Sequence, residues 1–201
     1  MTRTSEIQLF DQLERWKRTG NYPRIDDRIV ALILERAHSS HFLDLCCGFG
    51  LLGQRIAELK QDAVVVGVEA NSAKIAAAWR YEVAIPIHHL SIQRSTLPTF
   101  IEICTTRRIE VLIARRCIPE LFKRDLELGR DFVTMLAHST DVNDVFLESR
   151  ARTKLAKSAL SCIDKQVALF EPFYHETKRT GAAAHLERSI RQPNKSGASV
   201  K

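Results

Sequence analysis

A chain of 201 residues suits one domain around one substantial core. Its composition, 45% hydrophobic and 27% charged, is that of a soluble globular protein, and no apolar run approaches the roughly 20 residues needed to span a bilayer. The net charge of +6 fits a nucleic-acid or nucleotide partner as readily as plain solubility, while the odd count of five cysteines, without a C-x-x-C pair, argues against a disulfide framework or a bound metal.

Residues 5–17 place Phe10, Leu13 and Trp16 at helical spacing, and Gly20, Asn21 and Pro23 break that helix. This mixture of charged and apolar residues is unlike a secretory leader, so a reducing cytoplasm is the expected location. A second helix starts at Asp26 or Asp27 and carries Ile29, Leu32, Ile33 and Arg36 along one side. Strand-like and helix-like runs then alternate. Strands are expected at 42–45, 63–68, 83–87, 109–114 and 142–147, and helices at 51–59, 72–81, 99–107 and 153–163, with a long one from Pro119 to about 137. Two last strand-like runs, 166–174 and 184–190, flank Lys178-Arg179-Thr180-Gly181 and suggest a terminal antiparallel hairpin. The fold class is therefore α/β: a doubly wound, mostly parallel seven-stranded sheet with a C-terminal antiparallel hairpin and helices on both faces. The expected organisation is an N-terminal helical segment over 1–23, a main domain over 24–191 and a disordered tail over 192–201.

Chemistry concentrates after the first strand. Gly48 and Gly50 follow a short apolar strand and open a helix, so the backbone can turn tightly and approach a ligand at the positive end of the helix dipole. Glu69 ends the second strand, 19 residues after Gly50, where a carboxylate can accept hydrogen bonds from both hydroxyls of a ribose. The residues describe a pocket for a nucleoside-containing ligand. Gly48-Phe49-Gly50-Leu51-Leu52-Gly53 also satisfies G-x-G-x-x-G, which keeps a nicotinamide enzyme in view. Against it, Asp44 lies inside the first strand, where an acid suits a cationic amino group or sulfonium better than a pyrophosphate.

Phe42-Leu43-Asp44-Leu45-Cys46-Cys47-Gly48-Phe49-Gly50 resembles the first motif of class I S-adenosylmethionine-dependent methyltransferases, and Val64-Val65-Val66-Gly67-Val68-Glu69-Ala70-Asn71 resembles their second. The resemblance runs from about residue 25 to residue 190. It implies S-adenosylmethionine as cofactor, with Asp44, Cys46, Cys47, Gly48 and Gly50 along its methionine part and Glu69 and Ala70 at its ribose end. One departure is that Cys46 stands where the family usually has its first glycine.

The acceptor side follows the fourth strand. An amino-methylating Asn/Asp-Pro-Pro-aromatic motif is absent there, and the sequence reads Ile113-Ala114-Arg115-Arg116-Cys117-Ile118-Pro119. Arg115 and Arg116 could clamp a phosphate or carboxylate, or could pair with an acid such as Glu120. Cys117 could act as the covalent thiolate of a cytosine C5 enzyme, with Glu148 as the companion acid, or could be a small buried hydrophobe. His88 and His89 offer a general base, Trp16 and Tyr22 a lid, and Lys178, Arg179, Arg188 and Arg191 a basic hairpin. The expected function is methyl transfer to a nucleic-acid or other anionic substrate. A methyltransferase-like binding module without catalysis is the alternative, and a nicotinamide-dependent enzyme a further one. The sequence leaves the acceptor and the oligomeric state open.

Overall fold

Side-chain alternation along the strands sets the architecture. The computed structural model describes residues 27–80, 82–149, 160 and 162–189. In chain order they form α1 (Asp27–Arg36), β1 (His41–Leu45), α2 (Leu51–Leu59), β2 (Val64–Glu69), α3 (Ser72–Arg80), β3 (Ile87–His89), α4 (Leu97–Thr106), β4 (Val111–Arg115), α5 (Ile118–Phe122), α6 (Leu126–Ser139), β5 (Asp144–Glu148), α7 (Ile163–Phe170), β6 (Tyr174–Thr180) and β7 (Ala183–Arg188). Phe42, Val65, Val111, Ile113 and Phe146 leave one face of the sheet and pack with Ile29 and Ile33 of α1, Leu52 and Ile56 of α2 and Ile75 of α3. Their neighbours Leu43, Val66, Leu112, Val145 and Leu147 leave the opposite face and meet Phe100, Phe122, Phe132, Val167 and Phe170 from α4 to α7. Both faces are buried, so the strands read as continuous apolar runs rather than as polar–apolar alternations.

The seven strands lie in the order β3-β2-β1-β4-β5-β7-β6. The first five are parallel, and β7 runs antiparallel between β5 and β6. This matches the doubly wound sheet with a terminal hairpin expected from the sequence. The strand order reverses between β1 and β4, which opens a crevice at their carboxyl ends. The motif residues all lie at that edge. At the start of β5, the buried His185 ring stacks on Phe146 at 4.5 Å between centroids and bonds Asp144 Oδ1 at 2.8 Å and Thr177 Oγ1 at 2.7 Å.

Several elements differ from expectation. Residues 166–170 belong to α7 and not to a strand, because Ile163, Val167 and Phe170 recur at helical spacing and are buried. The hairpin strand β6 is instead the polar run Tyr174–Thr180, an edge strand with charged side chains outward, and the turn is Gly181-Ala182. The third strand begins at Ile87 rather than 83, since Pro86 has no N–H for the ladder and contributes only its carbonyl, which accepts from Gly67 N at 2.8 Å. The long helix expected from Pro119 divides into α5 and α6, with Asp125 capping α6 by accepting from Leu128 N at 2.9 Å. The expected 5–17 helix, the lid residues Trp16 and Tyr22, the tail, Arg191 and most of the 153–163 helix lie outside the described residues.

Candidate functional site

The turn from β1 into α2 makes three left-handed steps: Cys46 at φ 57°, Gly48 at 63° and Gly50 at 74°. Glycine adopts that conformation without penalty, whereas a residue with a Cβ gives up roughly 1–2 kcal/mol. Cys46 thus holds a left-handed backbone shape, as Gly48 and Gly50 do, although it carries a side chain. The loop is tied back to β2 where Cys47 N–H donates to the Val68 carbonyl at 3.0 Å, and it closes where Gly50 N–H donates to Cys47 O at 3.0 Å. A Cβ built on Gly48 would meet nothing within 4 Å, so this stretch of backbone faces open space.

Glu69, buried at the end of β2, accepts from Gly48 N at 2.8 Å and from Asn71 N at 2.9 Å. The carboxylate thereby joins the β1–α2 turn to the β2–α3 turn. Two backbone bonds leave further lone pairs on its oxygens, because an ionised carboxylate has about four acceptor sites. The amine of Lys74 lies 4.0 Å away. Ala70 is exposed beside it, and its carbonyl is bonded to His89 Nε2 at 3.0 Å. The other histidine, His88, is held below the ordinary imidazole range by burial and by the Arg107 charge.

Asp44 is 2% exposed, and its Oδ2 has no hydrogen-bond partner. Burial pushes its carboxyl up from 3.8 to about 7, against the opposing pull of Arg115 and a backbone hydrogen bond at Gly53 and with a small further push from Glu69. A buried carboxylate oxygen without a partner is costly unless a donor or cation completes it.

Across the crevice, Arg115 Nε donates to Glu148 Oε2 at 2.7 Å, and Arg116 donates to Glu148 Oε1 through Nε at 2.8 Å and its terminal nitrogen at 2.6 Å. The backbone adds to this, since Arg116 N–H donates to the Glu148 carbonyl at 2.7 Å. Glu148 is therefore the acid on which both arginines close. Register placed it there, because Arg115 on β4 pairs with Glu148 on β5. Arg116 is the more open of the two, with 38% of its side chain exposed. Cys117 is buried, and a hydrogen bond to the Cys46 sulfur together with burial pushes its thiol well above the ordinary range. A covalent nucleophile needs the opposite shift.

The structure thus gathers Asp44, Cys46, Cys47, Gly48, Glu69, Arg115, Arg116 and Cys117 at one edge. Two further glycines, Gly53 and Gly67, fit the site together by leaving room for their neighbours. A Cβ on Gly53 would come within 2.6 Å of Ile85 Cδ1 and 2.9 Å of Val65 Cγ1, so α2 can lie close on the sheet only with glycine there. A Cβ on Gly67 would come within 2.6 Å of Cys47 Sγ, so the bare centre of β2 receives the Cys47 thiol. The hairpin cations are engaged within the fold. Lys178 meets Glu35 at 3.5 Å, Arg179 meets Asp164 at 2.7 Å and Glu176 as well, and Arg188 donates to the Thr140 carbonyl at 2.9 Å.

No family model and no curated protein matches the chain. Solved structures do. The TehB-like SAM-dependent methyltransferase from Corynebacterium glutamicum ATCC 13032 Kitasato superposes with a TM-score of 0.60 at 12% identity, over 94% of this chain and 100% of that one. Monomeric WbdD superposes with a TM-score of 0.63 at 18% identity over 87% of this chain. This chain covers 44% of the length of WbdD, which is described elsewhere as a bifunctional kinase-methyltransferase. With the strand order, the glycine turn and the acid ending β2, these superpositions establish that the chain has the fold of class I S-adenosylmethionine-dependent methyltransferases.

Proposed function

We propose that the protein is an S-adenosylmethionine-dependent methyltransferase whose acceptor carries an anionic group near the reacting atom. The observation that carries the reading is the buried, unpartnered Oδ2 of Asp44 next to a left-handed glycine turn that Glu69 ties to β2. The cofactor has an amino group and a sulfonium for Asp44 and ribose hydroxyls for Glu69, so the residues present fit it. When bound, it supplies an already activated methyl group. What remains for the protein is to orient donor and acceptor and to exclude water.

On the acceptor side, Glu148 fixes the arginines without enclosing Arg116, whose partly exposed guanidinium suits a phosphate or carboxylate. The raised thiol of Cys117 speaks against covalent cytosine chemistry, and Glu148 is bonded to two arginines rather than open to a base. A dinucleotide enzyme is less well supported, because the usual 3-2-1-4-5-6 order lacks the antiparallel strand found here between β5 and β6. The pairing of both arginines with Glu148 also favours a second reading, a binding module that holds the cofactor without transferring its methyl group.

Calorimetry with S-adenosylmethionine, its demethylated product and a nicotinamide dinucleotide tests the cofactor. Labelled methyl transfer into cellular nucleic-acid, protein and small-molecule fractions tests the activity. The enzyme reading expects labelled product in a fraction rich in anionic acceptors. Binding without product would favour the module, and no binding of either sulfur nucleoside would end both.

A further inference from the structure

Asp144 and Glu187 stand directly opposite each other where β5 pairs with β7, and the next pair along the same face is Phe146 and His185. Like charges across a strand pair repel unless a cation lies between them. Among the described residues no lysine or arginine pairs with either acid, and both turn to the imidazole instead. His185 Nε2 lies 2.8 Å from Asp144 Oδ1, and its Nδ1 lies 3.8 Å from Glu187 Oε1. The ring is fully enclosed, Asp144 nearly so, and Glu187 is 40% exposed, so the cluster opens to solvent on the Glu187 side. It lies at the start of β5, at the far end of that strand from Glu148 and the cofactor crevice.

The hydrogen bonds around the ring decide which nitrogen is bare. β6 shifts register against β7 between Glu176 and Lys178, and the extra residue of that bulge is Thr177. Its hydroxyl oxygen sits 2.7 Å from His185 Nδ1 and donates its own proton to the His185 carbonyl at 3.5 Å. That oxygen is left to accept from Nδ1–H, so a neutral ring keeps its lone pair on Nε2, facing a carboxylate oxygen. Two acceptors in contact need a cation to join them.

We infer that Asp144, His185 and Glu187 form a binding site for a divalent transition cation of the zinc class, with Nε2 and one oxygen of each carboxylate as ligands and a fourth position open to solvent. The ligand atoms that the three residues offer all lie within 4.8 Å of one another. A tetrahedral ion with metal–ligand distances of about 2.0–2.1 Å holds its ligands about 3.3 Å apart, so Asp144 gives way by about half an ångström and Glu187 swings inward. Thr177 takes the part usual for the outer partner of a metal-bound imidazole, fixing ring and tautomer through the other nitrogen. An imidazole among the ligands favours zinc-class ions over magnesium or calcium, which take oxygen alone. Cysteine spacing is silent about such a site, because none of its ligands is a cysteine. Bound there, the ion clips the terminal hairpin to β5 and acts on the stability of that end of the sheet.

In the test, the purified full chain is stripped with a chelator, kept reduced, titrated with zinc chloride by calorimetry, and melted with and without the ion. One equivalent is expected to bind, with Tm raised by at least about 5 °C at a hundredfold excess of zinc over Kd. Glu187→Gln, at a partly exposed position, keeps the fold and should weaken zinc at least tenfold, and His185→Gln should abolish its binding. Magnesium and calcium should leave Tm unchanged. Cobalt(II) in place of zinc should show the visible bands of nitrogen and oxygen ligation without a thiolate charge-transfer band. Zinc uptake unaltered by Glu187→Gln, or a thiolate band with cobalt, overturns the site and places the ion on the cysteines. No zinc uptake overturns it as well, and leaves a proton as the cation between Asp144 and His185. Calcium bound as tightly as zinc overturns the imidazole as a ligand.

Discussion

Replacing Asp44 with Asn removes a charge that burial disfavours and that the proposed cofactor's cationic groups would favour. The unfolded carboxyl ionises near 3.8, while the folded one keeps its proton until about 7. Between those values the folded state binds the extra proton, so this residue's contribution to stability is full below pH 3.8 and is lost as pH rises through about 7. The whole difference corresponds to roughly 4 kcal/mol, of which about 2.5 kcal/mol falls between pH 5 and pH 8. Urea unfolding of wild type and Asp44→Asn across that range is the assay. The gap between the two curves is expected to shift by about 2.5 kcal/mol in favour of the variant as pH rises. Calorimetry should show the opposite cost, with S-adenosylmethionine bound at least tenfold more weakly by the variant at pH 8. Parallel stability profiles would refute the argument from burial, and undiminished affinity would refute Asp44 as the cation's partner.

Other substitutions probe the same edge. Glu69→Ala removes the proposed ribose acceptor and leaves the Gly48 and Asn71 amides without their bonds, so cofactor affinity is expected to fall at least about 100-fold by calorimetry. Glu148→Gln leaves two guanidiniums over a buried neutral amide and should cost about 3 kcal/mol in urea unfolding, whereas Arg116→Gln, at a partly exposed partner, should cost less than about 1 kcal/mol. Equal losses would contradict the buried-acid arrangement. Gly67→Ala places a methyl against Cys47 Sγ and is expected to destabilise by about 1–3 kcal/mol, with most of the loss recovered in the Gly67→Ala/Cys47→Ala pair. A double variant no better than the single one would show that the clash is not with that sulfur.

The parts of the fold legible in the sequence were those set by local periodicity. Val64–Glu69 and Leu51–Leu59 agree with expectation to within a residue, since each is a pure strand or helix pattern beside a strong turn. Short apolar runs were less informative. Val167-Ala168-Leu169-Phe170 fits a strand as well as a helix, and it is the burial of Ile163 one turn earlier that makes it helical. β6 was missed for the converse reason: His175, Glu176 and Lys178 point outward from an edge strand, so its sequence lacks the apolar signal of a strand.

At the site, the acid and glycine spacing was legible because each residue there answers to the local backbone, whereas partnerships between strands were not. Nothing along the chain joins Glu148 to two arginines more than thirty residues earlier; parallel pairing of β4 with β5 does. The same holds for Cys46. From sequence it is a departure from the glycine that this turn favours, and a small residue is tolerable there on size alone. The backbone sharpens the question, because the left-handed φ of 57° disfavours any side chain, whatever its volume. A thiol carried on that left-handed backbone makes the side chain, rather than the turn, the thing to be explained.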